Sequence, residues 1–95
     1  MNEIKITRED GETRGRYVVT IDGIEAELTY SKAGTAGLIA DHTGVPEALA
    51  GRGVGRALVN ALIADARTEG VRIIPLCPFV NAQFQRHPEW ADLRG

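Results

Sequence analysis

The stretch Val45-Pro46-Glu47-Ala48-Leu49-Ala50-Gly51-Arg52-Gly53-Val54-Gly55-Arg56-Ala57-Leu58 decides how this chain is read. Three glycines alternate with Arg52 and Val54, and an apolar pattern starts at once, with Val54, Leu58, Leu62 and Ala66 at a four-residue step. A loop that runs into a helix presents backbone N–H groups without intrahelical partners and the positive end of the helix dipole. Those features suit a phosphate or diphosphate, and each missing Cβ lets a ligand approach the backbone. The plain alternative is a glycine-rich connection whose only task is to start the helix.

Working outward, the helix is expected over about residues 53–69, with Gly70 as its left-handed stop. Before it, residues 38–45 (Leu-Ile-Ala-Asp-His-Thr-Gly-Val) read as a central strand that Pro46 limits. After it, residues 71–77 (Val-Arg-Ile-Ile-Pro-Leu-Cys) read as a further strand. Proline donates no hydrogen bond, so pairing should lapse at Pro75. Strand, helix and strand in this order predict a parallel crossover. Pro78 suits the first position of a short helix through residues 79–86. Pro88 ends it, and residues 88–93 form a tail anchored by Trp90.

Towards the N-terminus, Ile4-Lys5-Ile6-Thr7 alternates like a short first strand. Residues 8–14 are charged and contain Asp10-Gly11, which reads as a turn. Residues 16–21 and 24–30 flank Asp22-Gly23, the signature of a tight hairpin. On the second strand Ile24, Ala26, Leu28 and Tyr30 share one face while Glu25, Glu27 and Thr29 share the other, so one side should be packed and the other wet. Residues 31–37 read as a polar connection. The expected fold is α/β (α+β): a mixed, mainly antiparallel sheet with a central β-α-β crossover and a short C-terminal helix, in one domain over residues 1–95.

A net charge of −2 on 95 residues makes no case for nucleic-acid or general membrane binding. No apolar run approaches the length of a membrane span, and residues 1–5 lack an export signal's apolar core, so a cytoplasmic location is expected. Cys77 is the single cysteine, which excludes an intrachain disulfide and fits a reducing compartment. Neither His42 nor His87 pairs with carboxylates at metal-ligand spacing, and no metal site is expected. His87 ends a helix, where a role at the negative dipole end accounts for it. Among nucleotide fingerprints, a Rossmann loop needs its glycines directly after a strand, whereas residues 46–50 intervene here; a Walker A loop needs Gly-Lys-Ser/Thr, which is absent.

The order of hairpin, strand, glycine loop, helix, strand and short helix resembles the GCN5-related N-acetyltransferases. Their acetyl-CoA loop has the pattern Gln/Arg-x-x-Gly-x-Gly/Ala. Ala50-Gly51-Arg52-Gly53-Val54-Gly55 supplies both trailing glycines, with Ala50 in the leading polar position. A closer likeness lies in residues 41–92. There His42-Thr43, Val45-Pro46, the glycine loop, Ile73-Ile74-Pro75-Leu76-Cys77-Pro78-Phe79-Val80 and Arg86-His87-Pro88-Glu89-Trp90 look like the small single-domain members of the YjdJ and NATD1 type.

The resemblance implies acetyl-CoA as co-substrate and acetyl transfer to an amine acceptor that the sequence does not identify. It implies that the backbone of Thr43, Gly44 and Val45 accompanies the pantetheine arm like an added strand. The N–H groups of Gly51, Arg52, Gly53, Val54, Gly55 and Arg56 would receive the diphosphate. Arg52 and Arg56 either add charge-assisted contacts or stand in solvent. Asn81 either hydrogen-bonds the thioester end or is a polar surface residue, and the lapse at Pro75 would open a slot between the parallel strands. Cys77 is either a small buried hydrophobe or a catalytic group, acetylated in an intermediate or acting as acid for the departing thiolate. His42, alternating with Ala40 and Gly44 on one strand face, is either a base or substrate contact or a satisfied sheet histidine. Two departures matter. Gly44 stands where the family commonly has a glutamate, and no tyrosine follows the last strand; Tyr17 and Tyr30 lie in the hairpin, in its core or at its edge. A second function remains open, a non-catalytic CoA- or acyl-CoA-binding or protein-interaction module, and so does a monomeric or homodimeric state.

Overall fold

A computed structural model of the chain describes residues 4–95. Its five strands lie side by side in chain order: β1 (Thr7–Asp10), β2 (Arg14–Ile21), β3 (Ile24–Ala33), β4 (Gly37–Gly44) and β5 (Arg72–Ile74). The first three junctions are antiparallel and β4–β5 is parallel. Helix α1 (Val54–Glu69) makes the crossover between the parallel pair, and α2 (Pro78–Arg86) follows β5. Short 3-10 turns occupy Glu47–Leu49 and Pro88–Leu93. The expected fold class is what the structure has.

Local chemistry explains the elements that the sequence announces. Ile21 pairs with Ile24 across Asp22 and Gly23, whose φ angles of 53° and 77° make the primed two-residue turn that matches strand twist. Gly70 ends α1 at φ 70°, with its N–H bonded to Ala66 O. The apolar stripe of α1 (Val54, Leu58, Val59, Leu62, Ile63, Ala66) is buried against Tyr17, Val19, Ala26, Leu28, Tyr30 and Ala40 of the sheet. Val80 and Phe84 of α2, with Trp90 and Leu93, join the same core. Trp90 anchors the tail as expected, stacked on His87 at 4.0 Å and edge-on to Phe84 at 5.6 Å. The opposite sheet face is wet: Arg16 reaches Glu9 and Glu25 at 2.8 Å and Glu27 at 2.9 Å.

Three boundaries differ from the sequence expectations. The first strand is not residues 4–7. It runs from Thr7 through Arg8 and Glu9 to Asp10, and the turn moves to residues 11–13, closed by Gly11 N–H to Arg14 O at 2.8 Å. Charge, not alternation, holds this edge strand. Arg8 lies over the rings of Tyr17 and Tyr30 at 5.4 and 5.2 Å, and bonds Asp65 (3.1 Å) and Glu69 of α1. Ile4 and Ile6 still pack on the core from outside the strand. Second, β3 extends to Ala33, which shortens the expected connection to residues 34–36. Third, β5 is only Arg72–Ile74, and pairing lapses at Pro75 as the missing donor requires.

Candidate functional site

Beyond β4 the chain makes the 3-10 turn, then passes Gly51 and Gly53, each at φ 76°. Gly53 is the N-cap of α1 and no side chain caps the helix. The first-turn N–H groups of α1 therefore lack the protein acceptor that a Ser or Asp would give. A Cβ on Gly53 would meet nothing within 4 Å, so this position needs glycine for its backbone angle. Gly55 has another reason. A Cβ there would stand 2.8 Å from Phe79 Cζ, so its missing side chain lets α2 approach α1 and does not serve ligand access.

These residues border a cleft of about 400 Å³ between the loop and α2. Its lining takes Val45, Leu49 and Ala50, then Gly51, Gly53, Val54, Gly55 and Arg56, and across from them Phe79, Gln83 and Arg86. Two arginines and no carboxylate line it. Arg52 turns away to Asp22, 3.7 Å distant at the surface, and is not in the lining. Of the two arginines singled out in the loop, Arg56 is the one that faces the cleft. Phe79, Gln83 and Arg86 were missed by the sequence reading. Their i, i+4, i+7 spacing marks one face of α2, a signal present in the sequence that does not say what the face meets.

Midway along β4, Tyr30 pairs with Ala40 but Thr29 pairs with His42, so Asp41 is an extra residue, a β-bulge. Ser31 Oγ donates to its carboxylate at 2.6 Å. The bulge corrects the expected face of His42: Ala40 is fully buried whereas His42 is exposed, because the inserted residue switches the alternation. His42 and Gly44 do stay together. A Cβ on Gly44 would stand 3.3 Å from His42 Nε2, so the imidazole occupies ground that a side chain at 44 would use. Gly44 and Val45 also border a shallow hollow with Glu25, Glu27 and Pro46 on the wet face. Val45 is common to this hollow and to the loop cleft.

The β4–β5 ladder ends at Ile39–Ile74. Leu76 N–H then bonds Ile74 O at 2.9 Å in a tight turn around Pro75, and Cys77 N–H returns to Ala40 O at 2.8 Å. The separation of the two chains therefore begins after Cys77, not at Pro75. Beyond it, on the side away from β3, residues 41–44 have no strand partner among the described residues. Cys77 is the N-cap of α2, 3% exposed, with Sγ 3.3 Å from Thr43 Oγ1. Asn81 lies on the face of α2 opposite Phe79 and Gln83, and its Oδ1 accepts from Arg94 Nη2 at 3.1 Å. Cys77, Thr43 and Asn81 thus form one group at the start of α2, and the glycine loop cleft forms another.

A larger hollow of about 640 Å³ lies over β1–β4 and is lined by Glu9, Asp10, Arg14, Arg16, Thr29 and Asp41 among others. Several of its charges are already satisfied within the chain: Arg16 by Glu9, and Asp10 by Tyr30 and Lys32. Neither Tyr17 nor Tyr30 lines the loop cleft. Burial, reinforced by an Asp65 hydrogen bond, pushes Tyr17 well above the ordinary phenol range, and burial raises Tyr30 likewise. Among the described residues no cluster of His, Cys, Asp or Glu has the geometry to hold a metal ion, and no helix is long and apolar enough to cross a membrane.

Residues 16–93 match the family model described as GCN5-related N-acetyl-transferase. The fold is similar to the solution structure of a GCN5-like candidate N-acetyltransferase from Staphylococcus aureus, with a TM-score of 0.74 and 29% sequence identity. The alignment covers 100% of this chain and 91% of that one. No curated protein matches the chain.

Proposed function

Because the chain belongs to the GCN5-related N-acetyltransferase family, we propose that it moves an acetyl group from acetyl-CoA to an amine, as a single domain of the YjdJ and NATD1 type. The observation that carries this reading is the uncapped N-terminus of α1 behind Gly51 and Gly53, facing a cleft that Arg56 lines and no carboxylate enters. N–H donors from residues 51–56 and the helix dipole suit the diphosphate of CoA. The unpartnered side of residues 43–45 suits the amide-bearing pantetheine arm, which can pair with it as a strand would. That path leads the thioester towards Thr43 and Cys77.

Chemistry at that end follows from the groups available. A neutral amine attacks the thioester carbonyl, and the carbonyl electrons move to oxygen, where the Val45 N–H stabilises the oxyanion. As the carbon–sulfur bond breaks, the CoA thiolate takes a proton from the Cys77 thiol, and His42 accepts the proton that the amine gives up. In the alternative order Cys77 thiolate attacks first, CoA leaves, and the amine then takes the acetyl group from the Cys77 thioester.

Calorimetric titration with CoA, followed by a CoA-release assay with acetyl-CoA and a panel of amines, peptide N-termini and lysines, tests the reading. Binding near micromolar CoA and release with at least one acceptor are expected, roughly −8 kcal/mol of binding free energy. No engagement at millimolar CoA would sink it. Binding without release for any acceptor would favour the non-catalytic acyl-CoA module, for which the absence of a carboxylate at Gly44 is the supporting observation.

A further inference from the structure

We propose that α2 supplies the second half of the anion site: Gln83 donates its side-chain amide to the coenzyme's diphosphate, and Arg86 pairs with the same group. This rests on the CoA reading above and goes beyond it, since that reading places the anion on the α1 side alone.

Gln83 is the starting point. Among the buried described residues it is the one with an amide or charged side chain, at 5% exposure. Around it, Asn81 is taken by Arg94, His87 by Glu89 and Cys77 by Thr43, while the Gln83 amide enters none of the side-chain hydrogen bonds among the described residues. Burying an amide without a partner is costly, so such a group is kept where something meets it. No sealed polar atom is left unpaired among the described residues, which means the Gln83 amide keeps an outlet. That outlet is the cleft it lines, facing Gly53, Val54 and Gly55.

The charges point the same way. Arg56 and Arg86 border the cleft from opposite helices, and neither makes an ion pair among the described residues. Two guanidinium groups, bare helix N–H groups and an amide donor, with no acid to balance them, describe a site for a multiply charged anion. Ala50, on the loop side, contributes only a methyl group to the wall. Across from it, α2 brings two polar side chains to the wall, Gln83 and Arg86. Phe79 seated on Gly55 fixes the separation of the two helices, so that Gln83 and Arg86, one and two turns further on, face the loop across a set gap.

Calorimetry with CoA on the intact chain, its Gln83→Leu variant and its Arg86→Gln variant tests this. Each substitution should weaken CoA about tenfold, the scale of one charge-assisted hydrogen bond. Arg86→Gln should also flatten the salt dependence, and Arg86→Lys should recover part of the loss. In the unsubstituted chain the Gln83 side-chain NH2 resonances should shift on CoA addition and stay in place with pantetheine, which has no diphosphate. A parent chain that binds CoA while Arg86→Gln stays within twofold and the Gln83 resonances do not move overturns this proposal and leaves the CoA reading standing. A parent chain that does not bind CoA overturns both. Arg86 is exposed, so its variant keeps the test decisive even where Gln83→Leu fails to fold.

Discussion

Phe79 Cζ lies 2.8 Å from the place that a Cβ on Gly55 would take. The glycine is thus the seat of an aromatic ring that is 38% exposed and borders the loop cleft. In Gly55→Ala, better helix propensity offsets part of the overpacking, for a net loss of about 1 kcal/mol of stability. The larger effect should be on binding, because a ring pushed off Gly55 moves at the border of the cleft. Calorimetry should show CoA weakened about tenfold, the scale of 1.4 kcal/mol, and Gly55→Ala/Phe79→Leu should recover most of it. Unchanged affinity in the single variant would mean that the ring stands clear of the ligand.

Cys77 and Thr43 meet at 3.3 Å where the parallel strands part. Cys77→Ala should leave CoA affinity within about twofold and cut turnover by about a hundredfold, the usual reach of a positioned proton donor or nucleophile. Mass spectrometry during turnover separates the two roles. An acetyl adduct on Cys77 marks the acyl-enzyme, and a bare thiol with lost activity in the variant marks the acid. Full activity in Cys77→Ala would make the residue a packing group alone.

His42 stands over Gly44 on the exposed side of the bulge. If the imidazole accepts the amine proton, His42→Gln should lower kcat/KM by about a hundredfold and leave CoA affinity within about twofold. A variant with the parental kcat/KM would return His42 to an ordinary sheet position.

Asp10 accepts hydrogen bonds from Tyr30 and, at 3.0 Å, from Lys32, and these hold its carboxyl below the usual carboxylate range. A carboxyl depressed in the folded state adds stability that is complete above its unfolded value, near pH 4, and drains away as pH falls through the lower folded value. Urea midpoints measured from pH 7 downward should therefore fall less steeply below about pH 4 in Asp10→Asn than in the parent chain. Parallel curves would contradict the coupling.

The legible parts of the fold were those whose cause is local. Asp22-Gly23 dictates a positive-φ pair, Gly70 stops a helix, and Pro75 ends a ladder, each from one or two residues. β1 was misplaced because its cause is distant: Arg8 meets partners 57 and 61 positions away, and no window of sequence contains them. The face of His42 was misjudged for a related reason. Alternation assumes an unbroken register, and the inserted Asp41 leaves no compositional mark. At the candidate site the loop could be read and the opposing wall could not. Spacing placed Phe79, Gln83 and Arg86 on one side of a helix, but which side turns towards α1 depends on how Phe79 seats on Gly55.

The clasp of Arg8 between two phenol rings and the Asp65 and Glu69 carboxylates of α1 also bears on how the chain assembles. Its partners on α1 are useful only once the crossover has formed, so β1 should dock late, after the central hairpin and helix have nucleated. An edge segment composed of Thr, Arg, Glu and Asp can wait in water during that interval without recruiting neighbouring chains, a safeguard that an apolar first strand would not provide.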